Sequence, residues 1–205
     1  VAGEKAFSWE KEFVAVFEKG GFDVVIGNPP YVRQELFKEI KPFLQREYEC
    51  YNSVADLYTY FIEKGIDLMK NDGLFSFILP NKFLKATYGK EIRKVIKDRT
   101  NIELLFDFDD YPVFSDATTY PIIYVFSKNK NSNKKHFIYS EINKRDNTSD
   151  PILLLENKKG IVSVNSLTDE SWSFVDEKVG QVLNKIDNQS ILLKELVDDK
   201  IFRGV

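Results

Sequence analysis

The chain has 205 residues, 43% of them apolar and 30% charged, with a formal net charge of −3. These values are ordinary for a soluble globular protein, and the acidic balance gives no global signal of nucleic-acid binding, although lysine clusters or a partner domain can supply one. No apolar run approaches the roughly 18 residues of a membrane-spanning helix, and the single cysteine, Cys50, excludes an internal disulfide and fits a reducing cytoplasm.

The first 126 residues alternate between predicted helices and short apolar strands. An amphipathic helix is predicted over residues 8–19, ended by Gly20-Gly21, and residues 22–27 are typical of a buried parallel strand. The later elements follow in the order helix 35–48, helix 54–70 capped by Ser53, strand 74–79, helix 82–98, strand 102–108 and strand 120–126. This order predicts an α/β fold.

The alternation of helices and apolar strands ends after residue 127. A lysine-rich segment at 128–135 is predicted to be a solvated loop. Short strands are then predicted at 136–142, 152–156 and 161–165, and helices at 174–187 and 190–197.

The tetrapeptide Asn28-Pro29-Pro30-Tyr31 directly follows the first predicted strand, where α/β sheets bind ligands. A conjugated exocyclic amine is a poor nucleophile, and two acceptors on its hydrogens would free its lone pair for attack on a methyl donor. The Asn28 side-chain oxygen and the Pro29 carbonyl suit these two positions. The prolines restrict the backbone, and Tyr31 offers a face for a flipped base. The alternative is that the tetrapeptide is only a turn.

The remaining nucleophilic or titratable candidates carry no recognisable catalytic spacing. Cys50 lacks the neighbouring proline of a cytosine-C5 mechanism, and His136 is the only histidine. We interpret both as structural, and Asp23 as a structural residue at the start of its strand. No metal site is predicted.

The segment GGFDVVIGNPPYVRQE resembles the signature of the large adenine-specific DNA methyltransferases of type IIG restriction–modification enzymes and related phage-defence methylases. The flanking segments SWEKEFVAVF, DLYTYFIEKGIDLMKNDGLFSFILPNKFLKATYGKEIR, VFSDATTYPIIYVF and LLKELVDDKIFRGV are similar to further motifs of that family in the same order. The resemblance implies transfer of a methyl group from S-adenosylmethionine to the N6 amine of a flipped adenine in double-stranded DNA.

The resemblance also implies roles for single residues. Asn28 and Pro29 would accept from the adenine amine, and Tyr31 would stack on the base. Phe114 would pack against the edge of the base. Phe61 would contact the adenine of S-adenosylmethionine, with helix core as its alternative role, and Pro30 would touch the cofactor as well.

The chain departs from the family where the cofactor should bind. Only 27 residues precede Asn28, and no G-x-G occurs anywhere. We therefore expect a partial methyltransferase (Rossmann-like) sheet of strands four to seven, with flanking helices and the last strand antiparallel. The strand at 22–27 would form an exposed edge open to self-association. As a fragment, the chain should bind the cofactor poorly and methylate little.

The expected division is residues 1–165 as the C-terminal half of a catalytic domain and residues 166–205 as a helical linker into a target-recognition domain. Three alternatives stay open: methylation of protein glutamine or RNA guanine, cytosine N4 methylation (where Ser is commoner at the position of Asn28), and a non-catalytic DNA-binding or assembly module. No restriction-nuclease motif is recognisable.

Overall fold

The computed structural model describes residues 7–114, 119–128 and 134–172, together with 174 and isolated positions between 179 and 196. Its centre is a six-stranded mixed sheet in the order β1-β2-β4-β3-β5-β6. The strands are β1 (Phe22–Gly27), β2 (Met69–Pro80), β3 (Asn101–Asp107), β4 (Pro121–Ser127), β5 (His136–Glu141) and β6 (Gly160–Ser163). The helices are α1 (Trp9–Glu12), α2 (Val14–Phe17), α3 (Lys41–Glu47), α4 (Tyr58–Leu68), α5 (Lys90–Arg99) and α6 (Pro151–Asn157).

The first four strands confirm the predicted partial methyltransferase sheet. β1 pairs parallel with β2, whereas β4 runs antiparallel to both β2 and β3. A strand that reverses direction between two others is what the expected fourth-to-seventh order requires, because the last strand arrives by a hairpin from β3 rather than by a helical crossover. β5 and β6 extend the same sheet beyond β3.

β1 is an edge strand with one described partner, as expected. The prediction that it is buried was wrong, because Val24 and Ile26 are 56% and 78% exposed. Apolar β-branched residues predict a strand that is covered on both faces. Here Val25 packs against the main core and Phe22 against the rings of Trp9 and Phe17, while Val24 and Ile26 stay uncovered by the described residues.

Several boundaries differ from the predictions for local reasons. The helix at 8–19 is broken at Phe13 into α1 and α2. Ser53 caps nothing, because α4 begins later, with Leu57 at its N-cap. The helices predicted at 35–48 and 82–98 each open as 3₁₀ turns, at Gln34–Ile40 and at Asn81–Leu84, and become α-helical later.

The strand predicted at 152–156 was wrong, since these residues lie in helix α6. Pro151 occupies the first turn, where its missing N–H is not needed. The Asp150 side chain accepts from the N–H of Leu153 at 2.9 Å and caps the helix.

The main core lies between the sheet and helices α4 and α5. Phe75 and Phe126 stack across β2 and β4 at 5.6 Å, and Ile62 and Ile96 are buried on the facing helices. The helices predicted at 174–187 and 190–197 lie largely outside the described residues. In the part of the chain that is described, no helix has the length and apolarity needed to cross a bilayer.

Candidate active site at the carboxyl edge of the sheet

Several strands end or begin at one edge of the sheet, and this edge holds the predicted site. β1 and β2 finish there at Gly27 and Pro80. β4 runs the opposite way and begins there, with Pro121 opposite Pro80. β3 and β5 end beside it, with Asp107 opposite Glu141. The loops after β1, β2 and β3 therefore meet at one surface, the usual place for a ligand in an α/β sheet.

The loop after β1 presents the two predicted hydrogen-bond acceptors. Asn28 and Pro30 are exposed, and Pro29 is buried. Within the described residues, no hydrogen bond engages the Asn28 side chain or the Pro29 carbonyl. The exposed Asn28 oxygen is therefore open to a donor from outside, and the Pro29 carbonyl has no described protein donor.

Tyr31 is anchored through its hydroxyl. The Tyr31 O–H donates to the carbonyl of Ile78 in β2 at 3.1 Å, and the half-buried ring packs against the main core. Burial raises the pKa of Tyr31 to about 12, so the phenol stays protonated and keeps this bond at neutral pH. The orientation of the ring is thus set by β2.

Helix α4 brings Phe61 toward the same loop. The N–H of Leu57, at the N-cap, donates to the carbonyl of Val32 at 2.9 Å. Two turns later Gly65 packs closely on the ring of Phe75 in β2, and an added Cβ there would also touch the Val25 side chain of β1 at 3.4 Å. Phe61 lies between these two contacts on the helix and is 41% exposed. It is therefore outside the helix core, in a position open to a ligand.

Phe114 approaches this edge from the other side of β2 and β4. It is half-buried at the end of the described part of the loop that follows β3. That loop is held by the Phe108 N–H, which donates to the carbonyl of Pro121 at 3.0 Å, and by the Tyr111 hydroxyl, which donates to the carbonyl of Thr148 at 3.0 Å. The loops that carry Asn28, Tyr31 and Phe114 therefore leave the same edge of the sheet, and among the described residues no contact joins Phe114 to the other two.

Sequence reasoning missed a polar pair at the same edge. Asn81, directly after β2, donates from Nδ2 to the carboxylate oxygens of Asp107 at 3.2 and 3.4 Å. Asp107 is 7% exposed and also accepts from the Asp109 N–H at 2.9 Å. The pKa of Asp107 is raised to about 6, mainly by burial, with smaller contributions from the charges of Glu141 and Asp109, while the hydrogen bonds from the Asp109 N–H and Asn81 oppose the rise. Polar residues directly after two apolar strands were the available signal.

Asp107→Asn is expected to remove a pH dependence of folding. An unfolded aspartate has a pKa of about 3.9, whereas Asp107 has a pKa of about 6. The native state therefore holds a proton that the unfolded chain has lost between those values, and the wild type loses stability as pH rises through that window. The unfolding free energy of the variant relative to wild type should rise by up to about 3 kcal/mol from pH 4 to pH 7.

Urea denaturation of both proteins at the two pH values measures this difference. The matched control is Asp98→Asn, which removes an exposed carboxylate from α5 and leaves the surroundings of Asp107 intact. A relative free energy that stays constant with pH would contradict the prediction.

Cys50, His136 and Asp23 have the surroundings of structural residues. Burial raises the pKa of the Cys50 thiol, as does the Glu63 carboxylate, so no thiolate is available for attack. His136 begins β5, at the opposite end of that strand from the candidate site. Asp23 forms an ion pair with Lys70, which ties β1 to the start of β2.

Residues 1–114 match the family model described as Eco57I restriction-modification methylase. The Type II methyltransferase M.BstVI of Geobacillus stearothermophilus is 32% identical over 200 residues, which cover 90% of this chain and 36% of that protein. The Type II restriction enzyme and methyltransferase RM.Eco57I of Escherichia coli is 28% identical over 180 residues, which cover 86% of this chain and 18% of that protein. The chain thus spans about a third or less of these relatives.

Two solved structures share the fold. The DrdV–DNA complex superposes with a TM-score of 0.55 at 17% identity, over 83% of this chain and 20% of that one. A Listeria monocytogenes protein assigned to the class I S-adenosylmethionine-dependent methyltransferases gives a TM-score of 0.51 at 19% identity, over 64% of this chain and 39% of that one. With more than half of its residues matched by the family model, the chain belongs to the Eco57I restriction-modification methylase family.

Proposed function

We propose that the protein containing this chain transfers a methyl group from S-adenosylmethionine to the N6 amine of a flipped adenine in double-stranded DNA. The observation that carries this proposal is the pair of unengaged acceptors at Asn28 and Pro29, on the carboxyl edge of a methyltransferase sheet. Family membership supports DNA as the substrate, because the relatives described above are restriction–modification methyltransferases.

The chemistry follows from the two acceptors. The lone pair of an adenine amine is delocalised into the ring, which makes the amine a weak nucleophile. Hydrogen bonds to the Asn28 oxygen and the Pro29 carbonyl pull the amine toward a tetrahedral geometry and direct its lone pair at the methyl donor. Since the prolines and the anchored Tyr31 hold these groups in place before binding, little reorganisation is needed at the moment of reaction.

The described residues fit one part of the cofactor. Phe61 is a large aromatic left exposed beside the loop, and the exposed Pro30 lies in that loop. Together they can hold the flat adenine of S-adenosylmethionine, which supplies the methyl group. The 205 residues contain no G-x-G motif for the rest of the cofactor, and we therefore propose that this chain alone transfers methyl groups slowly at most.

Adenine is favoured over cytosine N4 because Asn rather than Ser occupies position 28. Methylation of glutamine or guanine uses the same acceptor pair, and the family match argues against both. We propose further that residues 1–165 form the C-terminal half of the catalytic domain. Residues 166–205 would then lead into a target-recognition domain that reads bases through groove contacts.

The proposal is tested with the protein that contains this chain, labelled S-adenosylmethionine and unmethylated DNA, followed by digestion of the DNA to nucleosides. Label in N6-methyladenine supports the proposal, with weak or no label from the 205-residue chain run in parallel. Label in N4-methylcytosine, RNA or protein would move the assignment to that acceptor. Cofactor binding without label in any acceptor would favour a non-catalytic module.

Two substitutions at Tyr31 separate its ring from its hydroxyl. Tyr31→Ala should slow methyl transfer, because the loss of one base–aromatic stack raises the activation free energy by about 1–3 kcal/mol. Tyr31→Phe keeps the ring and loses only the hydrogen bond to Ile78, so it should cost about 0.5–1.5 kcal/mol of stability with little loss of rate. Single-turnover rates of both variants measure the contribution of the ring, and urea denaturation measures that of the hydroxyl. Equal rates for the two variants would show that the ring does not stack on the base.

A further inference from the structure

A cavity opens at the carboxyl edge, on the far side of β2 from the Asn28 loop. Its volume is about 440 Å³, and it is lined by residues from the ends of β2, β3 and β5, from the start of β4 and from the segment around Trp172. None of Asn28, Pro29, Pro30 or Tyr31 lines it. A cavity of this size with a few convergent polar groups is typical of a small-molecule site.

The cavity contains a carboxylate, Asp107, with an oxygen that can accept a further hydrogen bond. The Asp107 Oδ1 atom accepts from both Asn81 and the Asp109 N–H at 3.2 and 2.9 Å. Among the described residues, Oδ2 has only a long contact of 3.4 Å with the same Asn81 amide. Glu141 adds a second carboxylate at the cavity, held by the Tyr139 hydroxyl at 2.6 Å. These groups favour a ligand that presents N–H donors.

Aromatic rings and lysines complete the lining. Tyr120 is 42% exposed and offers a ring face. Lys82 and Lys85, both exposed after β2, add positive charge beside the carboxylates of Asp107 and Glu141. An inorganic phosphate alone would meet the carboxylates, and a simple amine would leave the ring and the lysines without a partner. A nucleotide combines all three complements: an amine-bearing base, a flat ring and a phosphate.

We propose that this cavity binds a nucleotide whose base carries an exocyclic amine, with the amine donating to Asp107, the base stacking on Tyr120, and the phosphate near Lys82 and Lys85. Carboxylates accept from such amines in nucleic-acid recognition, and base–aromatic stacking adds binding energy with any base. Thymine carries a carbonyl oxygen at C4, where cytosine carries the amine, and its remaining N3–H donor lies between two carbonyl oxygens that the carboxylates repel, so it should bind more weakly.

The two tryptophans of the chain provide a built-in comparison. Trp172 lines the cavity, and its indole N–H donates to the carbonyl of Thr168 at 2.9 Å. Trp9 lies in α1 and lines a different cavity. Titration of the ¹⁵N-labelled chain with cytidine, adenosine, guanosine and thymidine deoxynucleoside monophosphates should shift the Trp172 indole signal and leave that of Trp9 in place. Binding of the thymidine nucleotide should be weaker by about tenfold or more.

Substitutions in the cavity test which side chains contact the base and which contact the phosphate. Tyr120→Ala should weaken binding by about fivefold or more through lost stacking, with Phe43→Ala as the control for an exposed aromatic on α3. Lys82→Ala with Lys85→Ala should weaken binding and flatten its salt dependence, with Lys94→Ala as the control. Equal binding of all four nucleotides, equal shifts at both indoles, or no shift at millimolar nucleotide would overturn the proposal.

The nucleotide has two possible sources, a free molecule or a base of a DNA strand, and only the second rests on the proposed function. Competition by single-stranded DNA at nucleotide concentrations far below those of the free monophosphates assigns the site to a strand; the reverse order assigns it to a free nucleotide. Because the readout is binding, absence of methyl transfer would leave the result at this cavity standing. If the protein that contains this chain methylates DNA but no nucleotide binds at the cavity, the cavity proposal fails and the proposed function stands.

Discussion

Asn28→Ala is expected to lower the rate of methyl transfer by about 10²–10³, the usual cost of one positioned hydrogen-bond partner at a reacting centre. The Asn28 side chain is exposed, and among the described residues it makes no hydrogen bond. Its removal should therefore leave the folded structure unchanged and affect only the reacting amine. The measurement is the single-turnover rate in the protein that contains this chain, with DNA and cofactor saturating.

The matched control is Asn71→Ala, an exposed asparagine near the other end of the sheet, in the first part of β2. Asn28→Ser is informative as well, because a hydroxyl oxygen can still accept a hydrogen bond and part of the rate should return. Asn28→Ala with the wild-type rate would refute the proposed mechanism. A loss of rate that follows a loss of thermal stability would assign Asn28 a structural role.

Arg93→Met is expected to cost about 3–5 kcal/mol of unfolding free energy, the largest loss of stability that we predict for a single substitution. Arg93 in α5 is 1% exposed. Its guanidinium donates to four backbone carbonyl oxygens, those of Phe83, Ala86, Asp169 and Glu170. Methionine fills a similar volume and leaves these oxygens without their donors.

Urea denaturation of the 205-residue chain measures the loss, and Lys94→Met on the exposed face of the same helix is the control. Arg93→Lys keeps the charge but not the planar set of five donors, so it should recover only part of the stability. The backbone N–H of Trp172 donates to the carbonyl of Leu84 at 2.8 Å, next to the Phe83 carbonyl that Arg93 holds. The Trp172 indole should therefore become exposed early in the unfolding of Arg93→Met. A loss below about 1 kcal/mol, equal to that of Lys94→Met, would contradict this role for Arg93.

The local sequence was sufficient for the strands that lead to the site. β1, β3 and β4 lie within one residue of their predicted limits, because short apolar runs between turn residues allow little else. The position of Asn28 and Tyr31 after β1 followed from the same pattern. The family resemblance supplied the order of the strands, including the antiparallel β4 that the pairing confirms.

Longer elements were decided by contacts distant in sequence. Residues 81–89 have a helical pattern, yet they form 3₁₀ turns that bind Arg93 through the carbonyl oxygens of Phe83 and Ala86. The same guanidinium is held by the carbonyl oxygens of Asp169 and Glu170, 76 and 77 residues later in the chain. The exposure of Val24 and Ile26 likewise depends on what covers β1 and not on the residues themselves.

The amino-acid sequence by itself determined the strand β1 and the Asn28-Pro29 pair that we propose as acceptors, since these depend on neighbouring residues and backbone restriction. Only the tertiary structure decided the cavity around Asp107. Its lining comes from positions 81, 107, 120 and 141, and no local pattern joins them. They meet because β4 inserts between β2 and β3 and brings the start of one strand beside the ends of the others.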